Sequence, residues 1–264
     1  MEKDITIMRD GLKLAAKVSI PESKEYDIAI LVYGFVGMMA PKVNDLLPVL
    51  AEKLQEKGLA TVRFDFNGHG LSEGPLDNMS IYNELEDYHA VMDYVLNRDG
   101  VKHINLIGHS QGGVLSSMMA GFYADKVDKL VIMSPAATLV DDARIGTCMG
   151  IDYDPNHVPA KLDFKKFKLN DWYFRTAKFI NTFEVARAFH GPVLALHGSE
   201  DKIVNPYAVK HYQAILDNCE MHLIEGSDHG LHQNREEVYT RVVDLFDFVS
   251  INLNKTVDFQ FCLN

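Results

Sequence analysis

The chain has 264 residues, of which 47% are hydrophobic and 24% are charged, and its formal net charge is −11. This length fits one large domain, or a domain with an insertion, with enough apolar residues for a sizeable core. The acidic balance argues against nucleic acid as a partner, because that function needs a basic surface. The first residues lack the apolar run that is typical of a secretory signal, and the apolar stretch 28–40 is too short to span a bilayer. The three cysteines are widely spaced. These features predict a cytoplasmic protein that has no membrane partner.

Strands alternate with helices through the first half of the chain. Two segments, 5–8 and 12–19, are split by Arg9-Asp10-Gly11 and predict an N-terminal hairpin. The elements predicted next are a strand at 28–33, a helix at 44–57, a strand at 60–64, a helix at 81–97, a strand at 104–107, a helix at 114–123 and a strand at 129–133. This alternation predicts an α/β fold with a mostly parallel central sheet and helices on both faces.

The alternation breaks at residue 136 and resumes at about residue 190. Residues 136–189 are too long for a plain connection, so they are predicted to form an inserted lid subdomain, with a helical stretch at 173–188. The predicted core therefore comprises residues 1–135 and 190–264. Its last elements are a strand at 192–197, a helix at 206–216, a strand at 220–224 and a helix at 236–252, and the tail 255–264 has no assignment.

The predicted buried strand before residue 108 leads into Gly108-His109-Ser110-Gln111-Gly112, and a predicted helix follows. A serine at the tip of such a strand, turn and helix is the nucleophile-elbow pattern. Glycines are expected on either side because a side chain there would collide with the neighbouring strand or helix. The helix N-terminus favours negative charge, as an acyl-transfer oxyanion requires. Ser110 is therefore the candidate nucleophile.

A serine nucleophile needs a base within hydrogen-bond reach, and a carboxylate must orient that base. In an open parallel sheet such residues follow the carboxyl ends of strands, and the chain order expected in this architecture is serine, acid, histidine. Asp201 comes directly after a predicted strand, and Glu200 is its rival. Three other aspartates fit less well because they do not follow a downstream strand: Asp87, Asp141 and Asp142.

The candidate base is His229, which lies in the loop Gly226-Ser227-Asp228-His229-Gly230 after the last predicted strand. His197 is the strongest rival, but it precedes the acid and ends a strand, so we expect it to point into the structure. His109 is expected to pack beneath the serine. The remaining histidines fall on strand edges, helices and turns, where structural roles are expected.

The expected oxyanion donors are two backbone N–H groups, those of Gln111 and Phe35. No His-Glu-x-x-His, calcium-loop or phosphate-loop pattern occurs, and Gly-x-Gly-x-x-Gly is absent from the first strand–helix junction. We therefore expect no metal site, and the chemistry of a serine triad needs no cofactor.

With these residues assembled, the chain resembles the α/β-hydrolase superfamily and, more narrowly, the bacterial cinnamoyl (feruloyl) esterases. The resemblance rests on segments 63–70, 108–113, 134–139, 153–159 and 223–229, of which the fourth is the most specific because lids differ between families. It implies Ser110, Asp201 and His229 as a triad, Phe35 and Gln111 as oxyanion donors, and a lid that closes over a hydroxycinnamoyl group. It also implies that Asp142 binds the phenolic hydroxyl of the substrate.

One position departs from the resemblance, because the family usually has His-Gly-Phe where this chain has Tyr33-Gly34-Phe35. The expected function is a serine esterase that hydrolyses small-molecule esters of ferulate, caffeate or p-coumarate. Two alternatives stay open: a generalist short-acyl carboxylesterase or monoacylglycerol lipase-like hydrolase, and a binding protein without turnover. The sequence also leaves open whether the chain forms a homodimer.

Overall fold

The computed structural model describes residues 2–39 and 45–247. The strands within these residues are, in chain order, β1 (Lys3–Arg9), β2 (Leu12–Ser19), β3 (Tyr26–Val32), β4 (Ala60–Phe64), β5 (Val101–His109), β6 (Val127–Met133), β7 (Thr147–Cys148), β8 (Ile151–Asp152), β9 (Lys161–Asp163), β10 (Lys168–Asn170), β11 (Val193–Gly198) and β12 (Cys219–Ile224). The α-helices are α1 (Leu46–Glu56), α2 (Ile81–Leu96), α3 (Gln111–Phe122), α4 (Leu139–Ile145), α5 (Asp171–Ala177), α6 (Thr182–Ala186), α7 (Val209–Ile215) and α8 (Arg235–Asp247).

Eight of these strands form one sheet in the order β1-β2-β4-β3-β5-β6-β11-β12. The N-terminal hairpin is antiparallel and pairs antiparallel with β4, and every other neighbouring pair is parallel. The predicted mostly parallel α/β sheet is therefore confirmed. The carboxyl ends of β3, β5, β11 and β12 lie at the same edge of the sheet, which brings together loops that are distant in sequence.

The central strands are buried on both faces, as their continuous apolar runs predict. Along β3, Ile28, Ile30 and Val32 join the core that contains residues of α2 and α3. The alternate residues, Ala29 and Leu31, join a second core formed with α1 and α8. Full burial of each such side chain contributes about 1.5–3 kcal/mol to folding. The sheet is thus held between two helical layers, and its strand ends are rigid supports for loops.

The predicted elements outside the insertion occur within a few residues of their predicted bounds. The helix predicted at 206–216 begins as a single 3₁₀ turn, Pro206–Ala208, before α7. The predicted start of α1 at Asn44, the predicted end of α8 at Asn252 and the tail 255–264 lie outside the described residues. Within the described part of the chain, no helix is both long enough and apolar enough to span a membrane.

Residues 136–189 contain α4, two short hairpins, α5 and α6. The single helix predicted at 173–188 is wrong, because the chain turns after α5 and begins α6 only at Thr182. This turn buries Ile180, which is 4% exposed, whereas the neighbouring Phe179 is 70% exposed. Burial of one side chain thus overrides the helical pattern of the sequence. The movement of this insertion as a lid stays a prediction.

The insertion packs closely on α3, and its apolar residues belong to the same core as the sheet. The two parts approach closely at Gly121, where an added Cβ would lie only 1.9 Å from the carbonyl oxygen of Val185 in α6. Real Cβ atoms essentially never come closer than 3.0 Å to another heavy atom. Glycine at position 121 is therefore required for α6 to lie against α3 at this distance.

Candidate active site

Ser110 lies between the end of β5 and the start of α3 and has the backbone angles φ 57° and ψ −124°. A non-glycine residue in such a conformation stores about 1–3 kcal/mol of strain, which persists only where the surroundings enforce it. Here the serine N–H donates to the carbonyl of Met133 at 2.9 Å, which ties the turn to β6. The flanking glycines leave no room for side chains: a Cβ on Gly108 would lie 2.1 Å from the carbonyl oxygen of Gly112.

The side chains of Ser110, His229 and Asp201 form one hydrogen-bonded chain. Oγ of Ser110 lies 2.9 Å from Nε2 of His229, and Nδ1 of His229 lies 2.7 Å from Oδ2 of Asp201. His229 follows β12 and Asp201 follows β11, so both stand at the sheet edge where β5 presents the serine. Because Nδ1 faces a carboxylate, it carries the proton of the neutral ring and leaves Nε2 free to accept one from the serine.

The surroundings of Asp201 favour its ionised form. Its Oδ1 accepts hydrogen bonds from the backbone N–H groups of Ile203 and Val204, at 2.8 and 2.9 Å. Burial alone would raise the pKa of Asp201, but hydrogen bonds from His197, His229 and the Val204 N–H hold this pKa well below its usual range. Nε2 of the fully buried His197 lies 2.9 Å from Oδ2 of Asp201. His197 does point into the structure, as expected, and its target there is the acid.

The alternative acid and a second histidine near Ser110 form other contacts. Glu200 is directed at Lys202, with 3.1 Å between their charged atoms. His109 donates from Nε2 to the carbonyl oxygen of His229 at 2.9 Å. Burial and the neighbouring His229 lower the pKa of His109 to about 4, so this ring is neutral at neutral pH. His109 therefore supports the loop that carries His229 and does not face Ser110 as a base.

The loop after β3 runs directly over the serine, since a Cβ on Gly34 would lie 2.7 Å from Cβ of Ser110. Phe35, the next residue, lines the same cleft as Ser110. Asp65, which follows β4, anchors the far end of the loop by accepting the Met39 N–H at 2.5 Å. Gln111 is the first residue of α3, so its N–H has no intrahelical acceptor and stays available to an anion.

Tyr33, at the position where the resembled family has histidine, contacts Arg63 through its hydroxyl. Its hydroxyl accepts a hydrogen bond of 3.2 Å from Nη1 of Arg63 on β4, and a second guanidinium nitrogen binds Glu2. Burial raises the pKa of Tyr33, so the hydroxyl is neutral. Tyr33 is therefore tied to β4 by its hydroxyl, while Phe35 still lines the cleft that contains Ser110.

A cleft of about 560 Å³, including space open to solvent, runs from Ser110 into the insertion. Aromatic rings from the insertion and the loop after β3 make up much of its lining: Phe35, Tyr153, Tyr173 and Phe174. Asp142 of α4 lies in the same cleft, where its Oδ2 accepts a hydrogen bond of 2.7 Å from the Thr138 hydroxyl. Burial and the neighbouring Asp141 raise the pKa of Asp142. Asp141 itself is exposed and pairs with Arg144.

A metal site needs several ligating side chains close together. Among residues 2–39 and 45–247, no cluster of three or more histidine, cysteine, aspartate or glutamate side chains is arranged to hold a metal ion.

Comparison with known proteins identifies the family. The family model of the alpha/beta hydrolase fold matches residues 30–163, which is half of the chain. A solved structure titled as ferulic acid bound to Est1E from Butyrivibrio proteoclasticus is 31% identical, covers 92% of this chain and 97% of that chain, and has a TM-score of 0.88. The chain belongs to the α/β-hydrolase family.

Two curated relatives of lower identity are named for different kinds of enzyme. An acyl transferase of Photobacterium phosphoreum is 23% identical over 80% of this chain and 70% of its own length. The serine hydrolase BPHL of Mus musculus is 24% identical over 80% of this chain and 76% of its own length. The family model and the serine-hydrolase relative support a hydrolase.

Two contacts in this α/β-hydrolase had no sequence signal. The side chain of Gln111 is held between Tyr173 of α5 and Glu84 of α2, and the candidate acid Asp201 is contacted by His197. Tyr173, Glu84 and His197 all fall within predicted helices or strands, where packing within the fold is the ordinary expectation. These two contacts become visible only when the orientation of the side chains is known.

Proposed function

We propose that this α/β-hydrolase is a serine esterase that hydrolyses esters of hydroxycinnamic acids, with Ser110, His229 and Asp201 as its catalytic triad. The observation that carries the proposal is the hydrogen-bonded chain from Oγ of Ser110 through His229 to Asp201. The separations of 2.9 and 2.7 Å are those of a nucleophile, a base and an orienting acid.

In the proposed reaction, Oγ of Ser110 attacks the ester carbonyl carbon while Nε2 of His229 takes the hydroxyl proton. The carbonyl oxygen becomes an oxyanion, which accepts hydrogen bonds from the backbone N–H groups of Phe35 and Gln111. The C–O bond to the alcohol then breaks, and His229 donates its proton to the departing oxygen. The product is an acyl-enzyme with the acyl group on Ser110.

Water completes the cycle by attacking the acyl-enzyme, with His229 as the base that takes its proton. Collapse of the second oxyanion releases the carboxylic acid and returns the proton to Ser110. Asp201 stays ionised throughout and stabilises the imidazolium form of His229, which is consistent with its lowered pKa. Each step moves one proton, and none requires a redox partner.

The choice of a hydroxycinnamoyl acyl group rests on the cleft and on the likeness to Est1E with ferulic acid bound. A planar aromatic acid suits a cleft lined by aromatic rings, and Asp142 supplies a polar group among them. Because burial raises its pKa, Asp142 is suited to hydrogen bonding with a phenolic hydroxyl. Short unbranched acyl groups would leave this lining uncovered.

The decisive experiment compares Ser110→Ala with Ser116→Ala on methyl ferulate. Ser116 is a buried serine of the same helix, and its hydroxyl contacts Tyr88. We expect Ser110→Ala to lose about 10⁶-fold in kcat while remaining folded, and Ser116→Ala to retain activity. A fluorophosphonate probe should label the wild type and not Ser110→Ala. Undiminished hydrolysis by Ser110→Ala would refute the triad.

An ester panel tests the substrate class separately. We expect kcat/KM to be higher for methyl ferulate, methyl caffeate and methyl p-coumarate than for p-nitrophenyl acetate and butyrate. Equal or higher values on the short acyl esters would instead establish a generalist carboxylesterase with the same triad. No turnover of any ester, together with no labelling of Ser110, would establish a binding protein.

We further propose a cytoplasmic location. Cys148 and Cys219 are free thiols in the structure, and free thiols are typical of a reducing compartment. Cell fractionation followed by the ferulate assay tests the location, and activity recovered only outside the cytoplasm would contradict it.

A further inference from the structure

The side chain of Gln111 is fixed from both sides. The hydroxyl of Tyr173 donates to its Oε1 at 2.6 Å, and its Nε2 donates to Oε2 of Glu84 at 2.5 Å. Each of the three residues is only 2% exposed. Tyr173 belongs to α5 in the insertion, whereas Glu84 belongs to α2 beneath the sheet. One amide therefore links the insertion to the body of the protein through the first residue of α3.

Tyr173 also contacts the second oxyanion residue. Its ring packs edge-on against the ring of Phe35, with the centroids 5.5 Å apart and the planes at 65°. Phe35 is further enclosed by Phe164 and Phe167, at centroid distances of 5.8 and 6.0 Å. A single tyrosine of the insertion thus touches both residues whose backbone N–H groups are the proposed oxyanion donors.

Burial favours the uncharged forms of two members of this network. It raises the pKa of Tyr173 and that of Glu84 well above their usual values. The second oxygen of Glu84, Oε1, faces Nε2 of the buried His69 at 4.0 Å, and burial lowers the pKa of His69. Burial thus favours the neutral form of each titratable group around Gln111.

Removal of the Tyr173 hydroxyl would leave Oε1 of Gln111 buried without that donor. A buried acceptor without a partner is unfavourable, so the amide would rotate or move toward another donor. Such a movement acts on the first residue of α3, whose backbone N–H must aim at the oxyanion. Oxyanion stabilisation depends strongly on this aim, because donors must reach the position that the oxyanion will occupy.

We propose that Tyr173 is a positioning residue for the oxyanion hole: it holds Gln111 by its hydroxyl and Phe35 by its ring. The inference rests on the proposed esterase function. It gives the insertion a second task besides covering the substrate, since α5 sets the geometry in which the tetrahedral intermediate is stabilised.

The test replaces Tyr173 with phenylalanine, which removes the hydroxyl and keeps the ring against Phe35. Tyr88→Phe and Tyr212→Phe are matched controls, because these tyrosines are also fully buried and place their hydroxyls 3.2 and 3.0 Å from Ser116 and Ser117 of the same helix. We expect Tyr173→Phe to lower kcat on methyl ferulate about tenfold to a hundredfold, with KM changed less than about threefold. The controls should keep the wild-type kcat.

A merely structural tyrosine would not change oxyanion binding, so a trifluoromethyl ketone analogue of ferulate provides a second readout. This inhibitor forms a tetrahedral adduct on Ser110, and its affinity should fall in Tyr173→Phe by the same factor as kcat/KM. Binding of ferulate itself should be unchanged, which also shows that the variant is folded. A kcat equal to that of the controls, or a lower kcat with unchanged inhibitor affinity, would overturn the proposal.

A second variant keeps the proposal testable if Tyr173→Phe does not fold. Gln111→Leu retains the backbone N–H and removes both amide contacts, so it should show the same paired losses. Wild-type kcat in Gln111→Leu would overturn the proposal. The proposed function fails in a different way: in that case the wild type shows no turnover dependent on Ser110, whereas failure of this inference leaves that turnover intact.

Discussion

Replacement of Gly112 by alanine should push the start of α3 away from the end of β3. Gly112 is the second residue of α3, and its backbone faces the end of β3. An added Cβ would lie 2.4 Å from the carbonyl oxygen of Tyr33 and 2.5 Å from that of Val32. Ordinary contacts of a Cβ begin at 3.4 Å. Both obstacles are backbone atoms, so no side-chain rotation can relieve the collision.

The size of the effect follows from this geometry. The start of α3 must move by about 1 Å, and a displacement of that size near the reacting atoms costs on the order of 100-fold in rate. Overpacking of a close contact typically costs about 1–3 kcal/mol of stability. Alanine gains back about 1 kcal/mol through its higher helix propensity. We therefore expect Gly112→Ala to lose about 0–2 kcal/mol of unfolding free energy and about 100-fold in kcat.

Gly113→Ala is the matched control, because it makes the same substitution one residue later in the same helix. Its added Cβ would lie 3.2 Å from the nearest atoms, which need to move by only a few tenths of an ångström. Urea unfolding and kcat on methyl ferulate should both remain close to the wild type. A Gly112→Ala protein as stable and as active as Gly113→Ala would refute the steric account of the elbow.

Three further outcomes are expected. Asp201→Asn should lower kcat about 10⁴-fold at neutral pH, since the amide no longer holds His229 in the required tautomer; retention of a tenth of the wild-type kcat would exclude Asp201 as the acid. Asp142→Asn should lower kcat/KM on methyl p-coumarate about tenfold and leave methyl cinnamate unchanged, with Asp141→Asn as the control; an equal loss on both esters would rule out recognition of the phenolic hydroxyl. The raised pKa of Glu84 means that native protein keeps a proton which the unfolded chain releases above its ordinary value of 4.5. Stability relative to Glu84→Gln should therefore be greatest below that value and fall as the pH rises towards the raised pKa; urea midpoints that differ equally at about pH 5 and about pH 8 would contradict this.

The parts of the fold that the sequence predicts are those encoded by nearby residues. Apolar runs identify the buried strands, and glycines around Ser110 identify the turn because the backbone there has no room for side chains. The rule that sites lie at the carboxyl ends of parallel strands then selects Asp201 and His229 from their loops. These three side chains do meet in the structure, while their catalytic roles stay predictions until turnover is measured.

The remaining features depend on contacts between distant residues. Tyr173 lies 62 residues from Gln111, and Gln111 lies 27 from Glu84, so no local pattern joins them. The chain breaks between α5 and α6, where Ile180 is buried against the core. The spacing of apolar residues along a helix does not predict such a break. Spacing gives the face on which a residue lies, and packing decides where its side chain is aimed.

The close seating of α6 on α3 at Gly121 has a consequence for protein engineering. Insertions of α/β-hydrolases invite exchange between enzymes as a means of altering specificity. Here a transplanted segment would meet α3 at a point where only glycine leaves room for the Val185 carbonyl. A recipient enzyme with a larger residue at the position of Gly121 would clash with the transplanted segment, whatever residues line its cleft. The residue of α3 at this contact therefore decides which chimeras can fold.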